Sequence, residues 1–327
     1  GHGDAERAID LYLAANEPRL ALEVVARAGE TNLDAFRSDT LQTWIDRLPD
    51  DIRRDEPWAH LMTGEVEMRA GDFDAALEDT HRAMDLLRPV NDRRGLYRAL
   101  SAKERTLFWK GETTEAAEAC RQALEMADDD GQWVHALISL GAALNAECKW
   151  SEATQALEEA SRLADGGLPR EQARLAAQTV YSMGNSGHYR RATEAADAAD
   201  ETMAGQGSPS LRAAHMTAVS AIRLFMADWE GARRALDSAR ELGVRYGFDF
   251  LQALMDDVDS QLYSCIGDMQ SAAAARKRAI AAPSIANDPY CLSMALCHAG
   301  TAERRSGNAS EAVKRYREAI RAAQGTS

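Results

Sequence analysis

The stretch Gly71-Asp72-Phe73-Asp74-Ala75-Ala76-Leu77-Glu78-Asp79-Thr80-His81-Arg82-Ala83 decides the fold, because its spacing returns along the whole chain. Its opening turn recurs at Gly111-Glu112-Thr113, Cys148-Lys149-Trp150, Gly187-His188-Tyr189, Ala227-Asp228-Trp229, Gly267-Asp268-Met269 and Gly307-Asn308-Ala309, in steps of 40, 37, 39, 40, 40 and 40 residues. Five positions after each anchor stands an alanine (Ala76, Ala116, Ala153, Ala192, Ala232, Ala272, Ala312). Seven further on stands another (Ala83, Ala123, Ala160, Ala199, Ala239, Ala279, Ala319). Seven residues are two helical turns, so both alanines lie on one face of one helix, and that face must meet another helix closely. An eighth copy fits at Asn16-Glu17-Pro18 with Ala21 and Ala28. An Ala-rich composition alone does not place alanine at two fixed registers in every copy.

Each unit therefore reads as helix A, a tight turn and helix B. A small residue ends A, Asp, Ser or Thr can cap B, and Phe73, Trp150, Tyr189, Trp229 and Met269 should pack between the two; Thr113 and Ala309 leave their junctions less filled. The expected architecture is all-α, a right-handed α-solenoid of about eight helix pairs. It comprises a first helix pair over 1–30, an irregular insertion with an extra helix over 31–57, and seven regular repeats over 58–327 in a single continuous stack. The extra helix should run from about Ser38 to Arg47 and stop at Pro49.

Composition agrees. Across 327 residues, 45% are hydrophobic and 28% charged, aromatics make only 6%, and there are 8 prolines, which favours helix over sheet. With 52 acidic against 38 basic residues the net charge is −14, which argues against a chain that grips nucleic acid along its length. No long apolar run marks a membrane span, and five cysteines without C-x-x-C spacing suit a reduced, cytoplasmic setting.

The turn glycines, the aromatic two positions later, the paired alanines, and Gly64, Gly141 and Gly300 seven before the turn together resemble the tetratricopeptide (TPR) family. The period departs from that family's 34, near 40 here, so helices or connections are longer. Within this class, Trp44-Ile45-Asp46-Arg47-Leu48-Pro49, then Ile52-Arg53 and Pro57, resemble the segment opening the repeats of MalT-type, LuxR-family transcription regulators. That resemblance implies a sensor arm that binds a small-molecule effector or a protein partner, with the parent chain's nucleotide-binding and DNA-binding domains outside this sequence. A free-standing TPR adaptor that holds a peptide or protein partner is the alternative.

No G-x-x-x-x-G-K-[ST] loop, H-E-x-x-H pair or Cys/His quartet occurs, so neither enzyme, metal nor cofactor is expected. Asp256, Asp257 and Asp259 read as a solvated face of a helix A. The TPR rule that helix A lines the concave face, mainly ten, six, three and two residues before each anchor, gives Glu65, Arg105, Ala142, Tyr181, Ala221, Gln261 and Thr301 in the six-before register. The two-before register gives Arg69, Trp109, Ala146, Asn185, Phe225, Cys265 and Arg305. From these, the expected ligand site is Arg105, Trp109, Asn145, Tyr181 and Asn185, with Arg98, His135 and Arg174 at the rim, around a floor of small residues.

Overall fold

In the computed structural model the described residues are 2–32, 38–147, 149–164, 169–206, 209–246, 249–286 and 289–324, and every regular element among them is a helix. In order these are α1 (His2–Ala14), α2 (Pro18–Asn32), α3 (Ser38–Asp46), α4 (Asp50–Asp55), α5 (Pro57–Ala70), α6 (Phe73–Leu87), α7 (Arg93–Lys110), α8 (Thr113–Met126), α9 (Asp130–Ala146) and α10 (Trp150–Ala164). They continue with α11 (Pro169–Asn185), α12 (Tyr189–Gln206), α13 (Pro209–Phe225), α14 (Trp229–Tyr246), α15 (Asp249–Ile266), α16 (Met269–Ala281), α17 (Pro283–Ala286), α18 (Pro289–Arg305) and α19 (Ala309–Gln324). The chain is an all-α, TPR-like solenoid of sequential helix pairs: α1 packs on α2, α5 on α6, α11 on α12, α13 on α14, α15 on α16 and α18 on α19. No helix among the described residues is long and apolar enough to cross a membrane.

The turns explain the pairing. Gly71, Gly111, Gly187, Gly267 and Gly307 all take left-handed backbone (φ between 81° and 90°), and Asn16 and Ala227 enter the same region at φ 59°. This conformation ends helix A with a six-to-one bond, from Asp72 N to the Glu67 carbonyl (2.9 Å) and likewise from His188 to Met183 (2.9 Å), Asp228 to Arg223 (3.0 Å) and Asn308 to Glu303 (2.9 Å). The reversal brings B back along A, and alanine lets the two approach. All the alanines of the two registers are buried save Ala28, which is partly so. Gly64 serves the same contact from helix A, since a Cβ there would stand 3.1 Å from the Ala76 carbonyl oxygen.

The chain divides into two compact units, Gly1–Trp109 with Thr114–Ser139, and Lys110–Thr113 with Leu140–Ser327. In the first, Leu41, Trp44, Ile45, Leu48 and Ile52 join Ile9, Val25, Leu61, Met84 and Leu100 in a shared hydrophobic cluster. Its irregular stretch holds two helices rather than one. Pro49 stops α3 and then serves as the N-cap position of α4, where Asp50 and Asp51 favour a helix start and the missing proline N–H costs nothing. In the second unit α11 touches α13, α13 touches α15 and α15 touches α18, so successive A helices form one face.

The turn side chains depart from expectation. Phe73, Trp150 and Tyr189 are only half-buried, and Trp229 and Met269 are exposed. Tyr189 still packs against the core of its repeat beside Ala192 and Ala196, whereas Trp229 and Met269 stay open to solvent although the alanines of their own helices are buried.

Candidate functional site

The eight residues expected to line a ligand site fall four in each unit: Arg98, Arg105, Trp109 and His135 in the first, Asn145, Arg174, Tyr181 and Asn185 in the second.

In the first unit the carboxylate of Glu65, on α5, is 5% exposed and organises the neighbourhood. The Arg105 guanidinium, one repeat on in α7, donates to Glu65, and its Nε lies 3.4 Å from Met68 Sδ. Arg69 Nε donates to the other Glu65 oxygen at 3.3 Å. Arg105 and Arg69 remain about a third and a quarter exposed, so one buried carboxylate holds two arginines at a fixed place while their outer edges reach solvent. Trp109 stands edge-on to Phe108 (5.8 Å, 84°). His135 lies 6.4 Å from the ring of Tyr97, whose hydroxyl donates to the Gln132 carbonyl at 2.9 Å. Arg98 is half-buried.

In the second unit Asn145 is fully buried. Its Oδ1 accepts from Ser182 Oγ at 3.1 Å, while its Nδ2 has no partner. Arg174 pairs with Glu171 on its own helix at 3.1 Å, and Tyr181 is half-buried. The side chain of Asn185 lies outside the described residues.

Sequence reasoning overlooked a second polar group in this unit. His298 Nδ1 on α18 is 2.7 Å from Asp257 Oδ2 on α15, and Gln261 Nε2 is 3.3 Å from the same oxygen and 3.2 Å from the His298 ring. Burial pulls the His298 pKa down, but the Asp257 contact outweighs it and the net shift is upward. Beside it, Asp256 and Asp259 are not a solvated face. Stacking of α15 between α14 and α16 buries both, and arginines meet them: Arg278 Nη2 at 2.7 Å from Asp256, Arg240 Nη2 at 2.5 Å from Asp259, with Arg233 at 3.7 Å. Burial raises the Asp259 pKa despite those two cations. No group of three metal-ligating side chains comes together among the described residues.

One pattern unites these contacts. Glu65 with Arg105, Asn145 with Ser182, Gln261 and Asp257 with His298, and Cys265 with Arg305 (3.3 Å) are all separated by 37 to 41 residues, one repeat, and each joins an A helix to the next. A polar partner one repeat onward is the sequence signal that would have found Asp257 and His298 and would have tied Glu65, already on the expected face, to Arg105.

Solved structures similar to the chain share its fold at low identity. A Rap protein complexed with competence and sporulation factor superposes with a TM-score of 0.71 at 13% identity, covering 99% of this chain and 97% of its own. The Rap conjugation gene regulator of plasmid pLS20, in complex with the Phr* peptide, gives 0.70 at 11%, covering 99% and 95%. The apo quorum sensor NprR from B. thuringiensis gives 0.65 at 12%, covering 98% and 97%. No family model matches the chain, and no curated protein matches it either.

Proposed function

We propose that the chain is a TPR-like receptor module whose A-helix face takes up a peptide or an extended segment of a protein partner. The observation that carries this reading is the series of polar contacts at one-repeat spacing, which sets donors and acceptors at regular intervals along that face within each unit. Adjacent packed helices lie roughly 8–10 Å apart and an extended chain rises about 3.3 Å per residue, so each repeat meets about three residues of a bound strand. Arg69 and Arg105, held by a buried carboxylate yet partly open, suit a carboxylate or a backbone carbonyl on such a ligand. Of the structures with this fold, one holds the Phr* peptide and another competence and sporulation factor, which supports a bound ligand over a purely structural role.

The narrower reading, a sensor arm of a MalT-type regulator, has less support. The residues that carry that resemblance, Trp44, Ile45, Leu48 and Ile52, are core residues of the first unit, and packing accounts for them. The full reading frame tests it: a P-loop upstream and a helix-turn-helix downstream are what it requires.

The receptor reading is tested by thermal-shift screening of peptide pools and small polar effectors, followed by calorimetric titration of any hit. A ligand on the A-helix face of the first unit should bind about tenfold more weakly to Arg105→Ala, and one on that of the second unit about tenfold more weakly to Tyr181→Ala. A hit that binds each of the two folded variants as tightly as the parent lies off both faces, and hits of that kind alone would refute the assignment.

A further inference from the structure

His298, on α18, carries a charge that can change near neutral pH, and its contacts fix where the change occurs. Asp257 Oδ2 lies 2.7 Å from its Nδ1, and Gln261 Nε2 donates to the same oxygen at 3.3 Å. A carboxylate oxygen only accepts, so Nδ1 carries a proton in both charge states of the ring and the second proton must enter at Nε2. Nδ1 is therefore committed to the fold. Nε2 bonds to nothing among the described residues, and the side chain keeps 25% of its surface open. When the ring is neutral, that nitrogen presents a lone pair outward; when the ring is protonated, it presents a charged N–H.

The charges on the elements packed around His298 leave it open to an anion. On α15, Asp256 is met by Arg278, and Asp259 by Arg240 and Arg233. Glu303, the one acid of α18, is met by Arg276 of α16 at 3.0 Å. On α19, Glu311 and Glu318 hold Arg315, and α17 carries no ionisable side chain. Asp257 is thus the charge that acts on the ring. Burial disfavours the imidazolium, yet the bond to Asp257 and its charge together outweigh burial, so the pKa lies above the ordinary imidazole value. Two turns along the same face of α18, Arg305 reaches solvent with its Nη1 3.3 Å from Cys265 Sγ, which adds a cation that persists at every pH.

We propose that His298 is a proton-gated contact of the A-helix face: its imidazolium donates from Nε2 to a carboxylate of the bound ligand, and the neutral ring releases that carboxylate. The inference rests on the reading of that face as a peptide receptor. It gives the ligand of the second unit a chemistry, an acidic side chain or a C-terminus set against His298, and it gives binding a regulator, the proton. A charge-assisted bond is roughly twice as strong as a neutral one, and loss of the proton turns it into a lone pair facing an oxyanion. Binding is therefore full below the pKa of the ring and is lost as pH rises through it. Asp257 is a positioning residue, because it fixes which nitrogen points outward and holds the proton on the ring to higher pH.

A pool of synthetic random 12-residue peptides, made with free and with amidated C-termini, tests the proposal by affinity selection on the parent protein at pH 5.5 and at pH 8, where carboxylates stay ionised. Peptides weakened by Tyr181→Ala are the ones that occupy the A-helix face of the second unit. These should carry Asp or Glu, or need a free C-terminus, and the two forms of the pool tell which carboxylate is held. They should bind the parent about tenfold more tightly at pH 5.5 than at pH 8, and lose that ratio in His298→Gln, which keeps a donor but does not titrate. Asp257→Asn should move the midpoint of the binding profile to lower pH, a shift that a purely structural His298 would not produce. Peptides on this face that have no carboxylate, that bind equally at both pH values, or that keep their pH ratio in His298→Gln would overturn the proton gate and leave the receptor reading standing. A pool in which no peptide is weakened by Tyr181→Ala at either pH would overturn the gate, and the receptor reading with it if Arg105→Ala is also without effect.

Discussion

Replacing Ala239 by leucine tests whether the close approach of A and B holds the second unit together. Ala239 has no exposed surface and clusters with Ala213, Leu236 and Met255. One turn further along α14, a Cβ on Gly243 would stand only 3.1 Å from Met255 Cε, so the seam has no slack into which three added carbons could move. Overpacking of a filled site costs about 1–3 kcal/mol. For a unit of roughly 190 residues each kcal/mol lowers the melting temperature by about 2–4 °C, so the transition should fall by about 2 to 12 °C in calorimetry. The same helix supplies the control: Val244 is 78% exposed, and Val244→Leu should change stability by less than about 0.5 kcal/mol. An Ala239→Leu protein that melts within a degree of the parent would show that the alanine register is not the packing seam.

Three other outcomes follow from the geometry. Ala227 is the one non-glycine anchor of a regular repeat with left-handed backbone among the described residues, so Ala227→Gly relieves about 1–2 kcal/mol of strain against about 0.4–1 kcal/mol of added unfolded-state entropy; a melting temperature below the parent's would contradict the turn assignment. Burial and the neighbouring Asp79 carboxylate raise Glu67 to about 7, so the folded first unit holds that proton more tightly than the unfolded chain and loses stability as pH climbs from about 4.5 through 7. His60, raised by its bond to Asp79, loses its contribution in the same direction, and urea titrations between pH 5 and 8 should show a shallower decline for Glu67→Gln; equal slopes for parent and variant would refute this. Arg240→Ala leaves the buried Asp259 with Arg233 alone, so the variant's deficit should be larger at pH 7, where the carboxylate is charged, and should shrink as acid protonates Asp259; a deficit independent of pH would mean that the ion pair is not what Arg240 contributes.

The fold was legible because it rests on two requirements that only a few residues meet. A left-handed turn selects glycine, and a close helix crossing selects alanine, so both leave marks at fixed positions in the sequence, and Gly71 with Ala76 and Ala83 predicts the hairpin of α5 and α6 without any knowledge of what surrounds it. The irregular stretch was half legible for the same reason. Pro49 marks a boundary, but a proline both ends one helix and begins another, and only the spacing to Pro57 tells that a second short helix, α4, lies between.

The ligand face was less legible, because its chemistry depends on which side chains meet across repeats. The sequence marks Arg105 as lining the expected ligand site, yet what it can do is set by Glu65, forty residues earlier and nearly buried. The aspartates of α15 show the converse. Three acidic residues in four positions look like a solvated surface, and they would be one on an isolated helix. In the stack, α14 and α16 cover two of them, the cost of desolvating those carboxylates is offset only by Arg240, Arg233 and Arg278, and the third, Asp257, is left on the A-helix face against His298. A repeat array therefore writes its architecture along each unit but its recognition chemistry between units. Opposite-charge or donor–acceptor partners one period apart, as Glu65 and Arg105 or Asp257 and His298 are, mark the positions that the array holds in place, and those are the positions at which substitution should alter binding before it alters folding.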